Sequence, residues 1–133
     1  MRTIWTNGCF DIVHIGHIEL FKFAKSLGDK LIVGIDSDER IKKYKYPNNK
    51  YRPINNQNNR IKFLQSIKYI DEVIIFNDHE YMKKLLIQYN IDTIVVGDDY
   101  KNSKVVGEDI VKNIVFFPKI LNKSSSAIIE KMI

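Results

Sequence analysis

The chain has 133 residues, of which 44% are hydrophobic and 28% charged, with a formal net charge of +5. This length suits a single domain, 1–133, and this balance of apolar and charged residues excludes a wholly disordered chain. No apolar run reaches the ~18 residues that span a membrane, the first residues lack the apolar core of a signal peptide, and Cys9 is the only cysteine. We therefore expect a cytoplasmic protein without a disulfide or a membrane segment.

In chain order, short apolar runs alternate with amphipathic stretches. The runs, which are rich in β-branched residues, predict strands at 3–6, 31–35, 73–76, 93–96 and 114–117. The stretches with helical spacing predict helices at 15–27, 59–70, 81–89 and 125–132. Most of the runs are almost continuously apolar, which is typical of parallel strands covered on both faces. The alternation predicts an α/β fold: a Rossmann-like, doubly wound, five-stranded parallel sheet with helices on both faces.

A long irregular stretch, 44–58, contains two prolines and five asparagines. A loop of that length in a compact domain is usually functional. It lies inside a segment, 40–62, that has no acidic residue and eight basic ones: Arg40, Lys42, Lys43, Lys45, Lys50, Arg52, Arg60 and Lys62. This segment favours an anionic partner, such as nucleic acid, an anionic surface or a phosphorylated small molecule, although a solvated basic loop would have the same composition.

The strongest chemical signal is the segment 6–17, which follows the first predicted strand and opens the first predicted helix. In open α/β sheets, ligands bind beyond the carboxyl ends of the strands, where helix N-termini present free N–H groups to anions. His14 and His17 are three residues apart, so they share one face of the first turn and suit a polyanion such as a triphosphate. A metal-binding pair or incidental polar residues are the alternatives, and no second thiol completes a zinc site.

Two short motifs in this segment carry a family resemblance. Gly8-Cys9-Phe10-Asp11 and His14-Ile15-Gly16-His17 resemble the signature of the cytidylyltransferase-like nucleotidyltransferases, and the resemblance covers essentially the whole chain. The segments 6–11, 51–55 and 104–107 are similar to those of the heptose 1-phosphate adenylyltransferases. Asp98-Asp99 and Pro118-Lys119 look more like glycerol-3-phosphate cytidylyltransferases, which usually have arginine where this chain has Lys119.

The resemblance implies three groups of site residues. The catalytic group is His14, His17, Lys45 and Arg60. The nucleotide-binding group is Thr6, Asn7, Gly8, Cys9, Phe10, Gly16, Gly97, Asp98, Asp99, Ser124, Ser125 and Ser126. The group that binds the acceptor substrate is Asp11, Arg52 and Lys119.

Several of these assignments have alternatives. Lys43 or Lys50 could take the place of Lys45, and the serine triplet could be a plain helix cap, because 122–123 depart from the family pattern. Asp11 could orient a histidine or a magnesium-bound water, or it could cap the first helix. Adjacent strand residues point in opposite directions, so at most one aspartate of the 98–99 pair should face the ligand.

Three remaining residues have structural interpretations. We expect Cys9 to be a packed small residue, because the implied chemistry needs no thiol nucleophile. We expect His79 to be a surface histidine. Trp5 is expected to be a half-buried strand aromatic.

The activity implied by the resemblance is nucleotidyl transfer from a nucleoside triphosphate to a sugar or polyol phosphate, with release of pyrophosphate. Mg²⁺ would arrive with the triphosphate, and no metal site of the protein's own is expected. ATP is the favoured donor and CTP the alternative. A homodimer is possible, and neither a membrane nor a nucleic acid is expected as a partner.

Two other classes compete with this interpretation. Adenylyltransferases for pantetheine phosphate, nicotinamide mononucleotide or flavin share the His-x-Gly-His element. A non-enzymatic nucleotide- or nucleic-acid-binding module would use the basic segment, in which Tyr44, Tyr46 and Tyr51 could stack on bases.

Overall fold

A computed structural model describes residues 1–98 and 102–118. Its strands are β1 (Thr3–Gly8), β2 (Lys30–Asp36), β3 (Glu72–Phe76), β4 (Thr93–Gly97) and β5 (Asn113–Phe117). Its helices are α1 (Ile15–Ser26), α2 (Asp38–Arg40), α3 (Gln57–Gln65) and α4 (His79–Gln88), and a π-helical turn, Ile41–Lys45, follows α2. All five predicted strands and the first three predicted helices are confirmed, while the helix predicted at 125–132 lies outside the described residues. No helix in these ranges has the length and apolar character that a membrane crossing requires.

The strands form one parallel sheet in the order β3-β2-β1-β4-β5. The chain starts in the centre of the sheet, builds outward through β2 and β3, and then crosses back to place β4 on the other side of β1. The strand order therefore reverses between β1 and β4, which is where ligands bind in this class of sheet. The predicted Rossmann-like, doubly wound fold is confirmed.

Alternate residues of the strands pack into two separate cores. Leu31 and Val33 of β2 face α1 and α3, while Ile32 between them faces α4. Because successive side chains of a strand point to opposite faces, one apolar run contributes residues to both cores. In the described part of the chain, helices therefore pack on both faces of the sheet.

Trp5 is fully buried, so the prediction that it is half-buried was wrong. Its indole ring lies over Gly34 on the neighbouring strand, where a Cβ atom would be 2.3 Å from Trp5 Cζ2. The missing side chain of Gly34 provides the space that the ring fills. This long-range fit gave no local signal in the sequence.

The boundaries of α3 differ most from the predicted ones. Helix α3 begins at Gln57, where the side chain of Asn56 accepts from Asn59 N–H, and it ends at Gln65. The prediction ran to Ile70, but 66–70 forms turns, with Ile67 N–H donating to Leu64 O. The short helix α2 and the π-helical turn were not predicted, since segments of three and five residues are too short for a periodic pattern.

Candidate active site

A cavity of about 570 Å³, called the trench below, runs along the carboxyl ends of the strands. Helix α1 borders one side of it and helix α4 the other. The sequence-predicted site residues that line it are Thr6, Asn7, Gly8, Phe10, His14, Gly16, His17, Lys45, Gly97 and Asp98. Asp99, Lys119, Ser124, Ser125 and Ser126 lie outside the described residues, so their roles stay predictions.

His14 and His17 form a reciprocal hydrogen-bonded pair at the start of α1. His14 is the N-cap, with extended backbone, and its Nδ1 accepts from Gly16 N–H at 3.1 Å. His17 Nδ1 accepts from His14 N–H at 3.2 Å, and the two rings stack with centroids 4.0 Å apart. Because Nδ1 is an acceptor in both rings, the ring proton is on Nε2. Each imidazole is thereby fixed as an Nε2–H donor.

The environment of His17 keeps its imidazole neutral. Burial, reinforced by the neighbouring His14, lowers the pKa of His17 to about 4. The ring of Phe10 packs edge-on against it, with centroids 5.3 Å apart. At neutral pH, the His17 ring is therefore uncharged and can offer a hydrogen-bond donor to the trench.

Gly8 makes room for this aromatic ring. A Cβ atom on Gly8 would lie 3.1 Å from Phe10 Cζ, so a larger residue there would displace the ring. Phe10 itself has a positive φ of 49° and packs against Phe21 in the core. The structure thus gives Gly8 a packing role, beside the nucleotide-binding role that the resemblance implies.

Side-chain hydrogen bonds hold Thr6 and Asn7, two of the predicted nucleotide-binding residues, at the switch point. Thr6 Oγ1 donates to Val95 O at 2.8 Å, which ties β1 to β4. Asn7 Oδ1 accepts from Trp5 Nε1 at 2.9 Å, which orients the Asn7 amide. Among the described residues, no atom beyond its chain neighbours lies within 4 Å of the position of a Cβ on Gly97.

The two ends of the trench differ in chemistry. The end near β4 and β5 has mostly apolar walls, which include Met82, Val96, Val105, Val106, Phe117 and Pro118, and the charged residues Asp98 and Lys104 also line the cavity. The end near β2 is cationic, and its walls include Arg40 and Lys45. An apolar end suits a nucleobase and a cationic end suits phosphates.

Asp36 organises the cationic end of the trench. It is the last residue of β2 and is 1% exposed. Its Oδ1 accepts from Arg40 Nε at 2.7 Å, and its Oδ2 lies 3.1 Å from Lys45 Nζ. Arg40 Nη2 in turn lies 2.7 Å from Nε2 of His79. His79 is exposed, as predicted, but it also lines the trench.

Among the lysines that competed for the role of Lys45, the structure favours Lys45. It lines the trench, whereas Lys43 and Lys50 do not. The ammonium of Lys43 lies over the ring of Tyr44 and that of Lys50 over the ring of Tyr51.

Arg60 lies beneath the site and is 1% exposed. Its Nη1 donates to the carbonyls of Cys9 and Asp36 at 2.9 and 2.7 Å. Its Nε donates to Asn55 O at 3.0 Å, and its Nη2 pairs with Asp38 Oδ1 at 2.8 Å. Arg60 does not line the trench but a second cavity of about 520 Å³ beside α3. Its contacts are structural, and the catalytic role given to it by resemblance stays a prediction.

Asp11 anchors the irregular loop. It is 2% exposed, and its carboxylate accepts from the N–H groups of Ile54 and Asn55, both at 2.8 Å. Arg52 Nε lies 3.2 Å from the same carboxylate. Of the alternatives considered for Asp11, capping of α1 is excluded because His14 is the N-cap, and its substrate-binding role stays a prediction. The carboxylate holds the loop and not a histidine.

Arg52 and Cys9 complete this buried layer. Arg52 is 3% exposed, and its guanidinium lies over the ring of Tyr46, 3.9 Å from the centroid. Its Nη2 is 4.0 Å from Cys9 Sγ. Burial raises the pKa of the Cys9 thiol, which therefore stays protonated at neutral pH. A packed thiol agrees with the interpretation of Cys9 from the sequence.

Comparison with known proteins identifies the family. The family model described as cytidylyltransferase-like matches residues 5–131. The chain belongs to the cytidylyltransferase-like family. The nucleotidyltransferase class predicted from the sequence is thereby confirmed.

Individual relatives agree with this assignment. The chain is 42% identical over 131 residues to the "Bifunctional protein HldE" of Nitratiruptor sp., covering 98% of this chain and 28% of that protein. The protein of the same name from Helicobacter hepaticus is 40% identical, with 98% and 26% covered. The chain thus spans only about a quarter of the length of these relatives.

Solved structures extend the likeness to the fold. A lipopolysaccharide core biosynthesis protein from Thermoplasma volcanium has a TM-score of 0.69 and 31% identity, with 90% of this chain and 98% of that chain covered. Pantothenate synthetase from Thermus thermophilus, at 12% identity and a TM-score of 0.59, shares the fold.

Within the described ranges, no group of three or more histidine, cysteine, aspartate or glutamate side chains is placed to hold a metal ion. The expectation that Mg²⁺ arrives with the triphosphate stays a prediction.

Proposed function

We propose that this domain transfers an adenylyl group from ATP to the phosphate of a heptose 1-phosphate-type sugar, releasing pyrophosphate. The observation that carries the proposal is the stacked His14–His17 pair, fixed as two Nε2–H donors at the switch point of the sheet. Family membership supports nucleotidyl transfer. The relatives named HldE and the lipopolysaccharide core biosynthesis protein support a sugar as the acceptor.

The proposed mechanism relies on positioning and charge stabilisation. A phosphate oxygen of the acceptor attacks the α-phosphorus of the triphosphate in line, the bond from that phosphorus to the bridging oxygen breaks, and magnesium pyrophosphate leaves. His14 and His17 donate hydrogen bonds to the oxygens on which charge develops. Lys45 balances phosphate charge at the cationic end, while the base occupies the apolar end.

The resemblance of the segment 51–55 to heptose 1-phosphate adenylyltransferases supports the heptose branch, and the structure shows this segment anchored beside the histidine motif. The segment 51–55, which resembles that branch, is bonded to Asp11 through Ile54, Asn55 and Arg52. The loop therefore has one defined position beside the histidine motif, as a substrate-binding loop requires.

A second candidate is CTP with glycerol 3-phosphate, which is favoured by Asp98, at the rim of the trench, and by its neighbour in sequence. A nucleic-acid-binding module remains the non-enzymatic alternative. Tyr44 and Tyr51 of the basic segment are exposed, whereas the guanidinium of Arg52 lies over the ring of Tyr46. A cytoplasmic location and a homodimer stay predictions.

The test is pyrophosphate release in the presence of Mg²⁺, with ATP, CTP, GTP and UTP each combined with heptose 1-phosphate and with glycerol 3-phosphate. We expect turnover with ATP and heptose 1-phosphate. His17→Ala should lower kcat by about three orders of magnitude or more while the protein stays folded, because it removes a donor to the transition state. Near-normal turnover by this variant would exclude the mechanism.

A further inference from the structure

The guanidinium of Arg40 is held rigidly at the cationic end of the trench. Its Nε donates to Asp36 Oδ1 and its Nη2 lies 2.7 Å from His79 Nε2. The ring centroids of Tyr44 and Phe76 are each 5.6 Å from Cζ. The side chain is 11% exposed and lines the trench. A cation fixed in this way loses little side-chain entropy when a ligand binds.

The two contacts of Arg40 leave part of its hydrogen-bonding capacity available. Nε and one hydrogen of Nη2 are used, and among the described residues Nη1 has no hydrogen-bond partner. The outer edge of the guanidinium can therefore donate two parallel hydrogen bonds, a geometry that matches two oxygens of a phosphate.

The charges around Arg40 also favour an anion. Asp36 carries one negative charge and is shared between Arg40 and Lys45, so one positive charge is left uncompensated. Burial, with the positive charge of Arg40, lowers the pKa of His79, which keeps its Nε2 an acceptor for Arg40. Asp36 and His79 therefore orient the guanidinium without cancelling the charge at this end of the trench.

We propose that Arg40 binds a phosphate group of a substrate together with Lys45, and that Asp36 and His79 are positioning residues for it. Two sources would present this phosphate: the phosphomonoester of the acceptor or the outer end of the donor's triphosphate. Only the identity of these substrates rests on the proposed function. Phosphate binding itself follows from the contacts of Arg40.

The first experiment is calorimetric titration of the wild-type chain with inorganic pyrophosphate and with inorganic phosphate. Arg40→Gln should weaken binding of at least one of these probes about tenfold, the effect of losing hydrogen bonds to a charged group. The matched control is Lys43→Gln, which removes one positive charge from the π-helical turn but does not touch the trench. It should change the affinity less than about twofold.

Steady-state kinetics then distinguish the two sources. An increase in KM for the sugar phosphate in Arg40→Gln places Arg40 at the acceptor, and an increase in KM for the triphosphate places it at the donor. Weaker pyrophosphate binding in a protein that turns over no tested substrate pair would support Arg40 and refute only the proposed acceptors.

The positioning role of His79 is tested separately, by the affinity of His79 variants for the same probe. His79→Ala should weaken binding of the same probe about threefold, whereas His79→Gln should restore it, because the amide oxygen can accept from Arg40 Nη2. If Arg40→Gln does not fold, Arg40→Lys is used in its place. Lysine keeps the positive charge but cannot donate two parallel hydrogen bonds to a phosphate. Equal affinities in Arg40→Gln and Lys43→Gln, or no binding of either probe by the wild type, would overturn the proposal.

Discussion

Substitution of Arg60 tests whether this buried cation beneath the trench contacts a substrate or stabilises the fold. Arg60→Met keeps the aliphatic volume but removes the donors to three backbone carbonyls and to Asp38. A buried acceptor left unsatisfied costs about 1–3 kcal/mol, and breaking a buried ion pair costs about 3–5 kcal/mol. Asp38 is partly exposed and can be solvated, so these costs do not add fully. We expect the free energy of unfolding of Arg60→Met to be about 3–5 kcal/mol lower than that of the wild type.

The assay is urea unfolding followed by far-UV circular dichroism, together with kcat measured under conditions in which the variant is folded. Lys62→Met is the matched control on the same helix, because Lys62 is an exposed cation and its loss should change stability by no more than about 0.5 kcal/mol. A stability of Arg60→Met within about 1 kcal/mol of the wild type, combined with a loss of kcat, would refute this reasoning and support a direct catalytic role.

Three further predictions concern the site and the core. Since the pKa of His17 is lowered from 6.5 to about 4, the unfolded chain binds more protons between these values, and stability should fall by about 2–3 kcal/mol as pH drops from 6.5 to 4. Unfolding of His17→Gln should lack this part of the pH dependence. Lys45→Gln should lower kcat/KM at least tenfold and Lys43→Gln less than about twofold, measured by pyrophosphate release. Gly34→Ala should destabilise the fold by about 2–3 kcal/mol in urea unfolding, and Trp5→Phe should partly rescue it.

The sequence predicted those features that depend on neighbouring residues. Apolar runs located all five strands, and the motif 6–17 located the histidine pair, because strand burial and helix starts leave local patterns. The anchoring of the loop by Asp11 and the contact between Arg40 and His79 were missed. Asp11 contacts residues 43 and 44 positions away, and Arg40 meets its histidine partner 39 positions away. Pairings over such distances follow from the topology of the sheet and leave no periodic signal in the chain.

Trp5 gives the domain an optical probe of its own. It is the only tryptophan in the chain, and its indole N–H donates to Asn7, whose side chain lines the trench. A ligand that contacts the Asn7 amide changes the polarity next to the excited ring, and unfolding exposes the ring to water. Intrinsic fluorescence can therefore follow both nucleotide binding and folding in the unlabelled protein, in the absence of any acceptor.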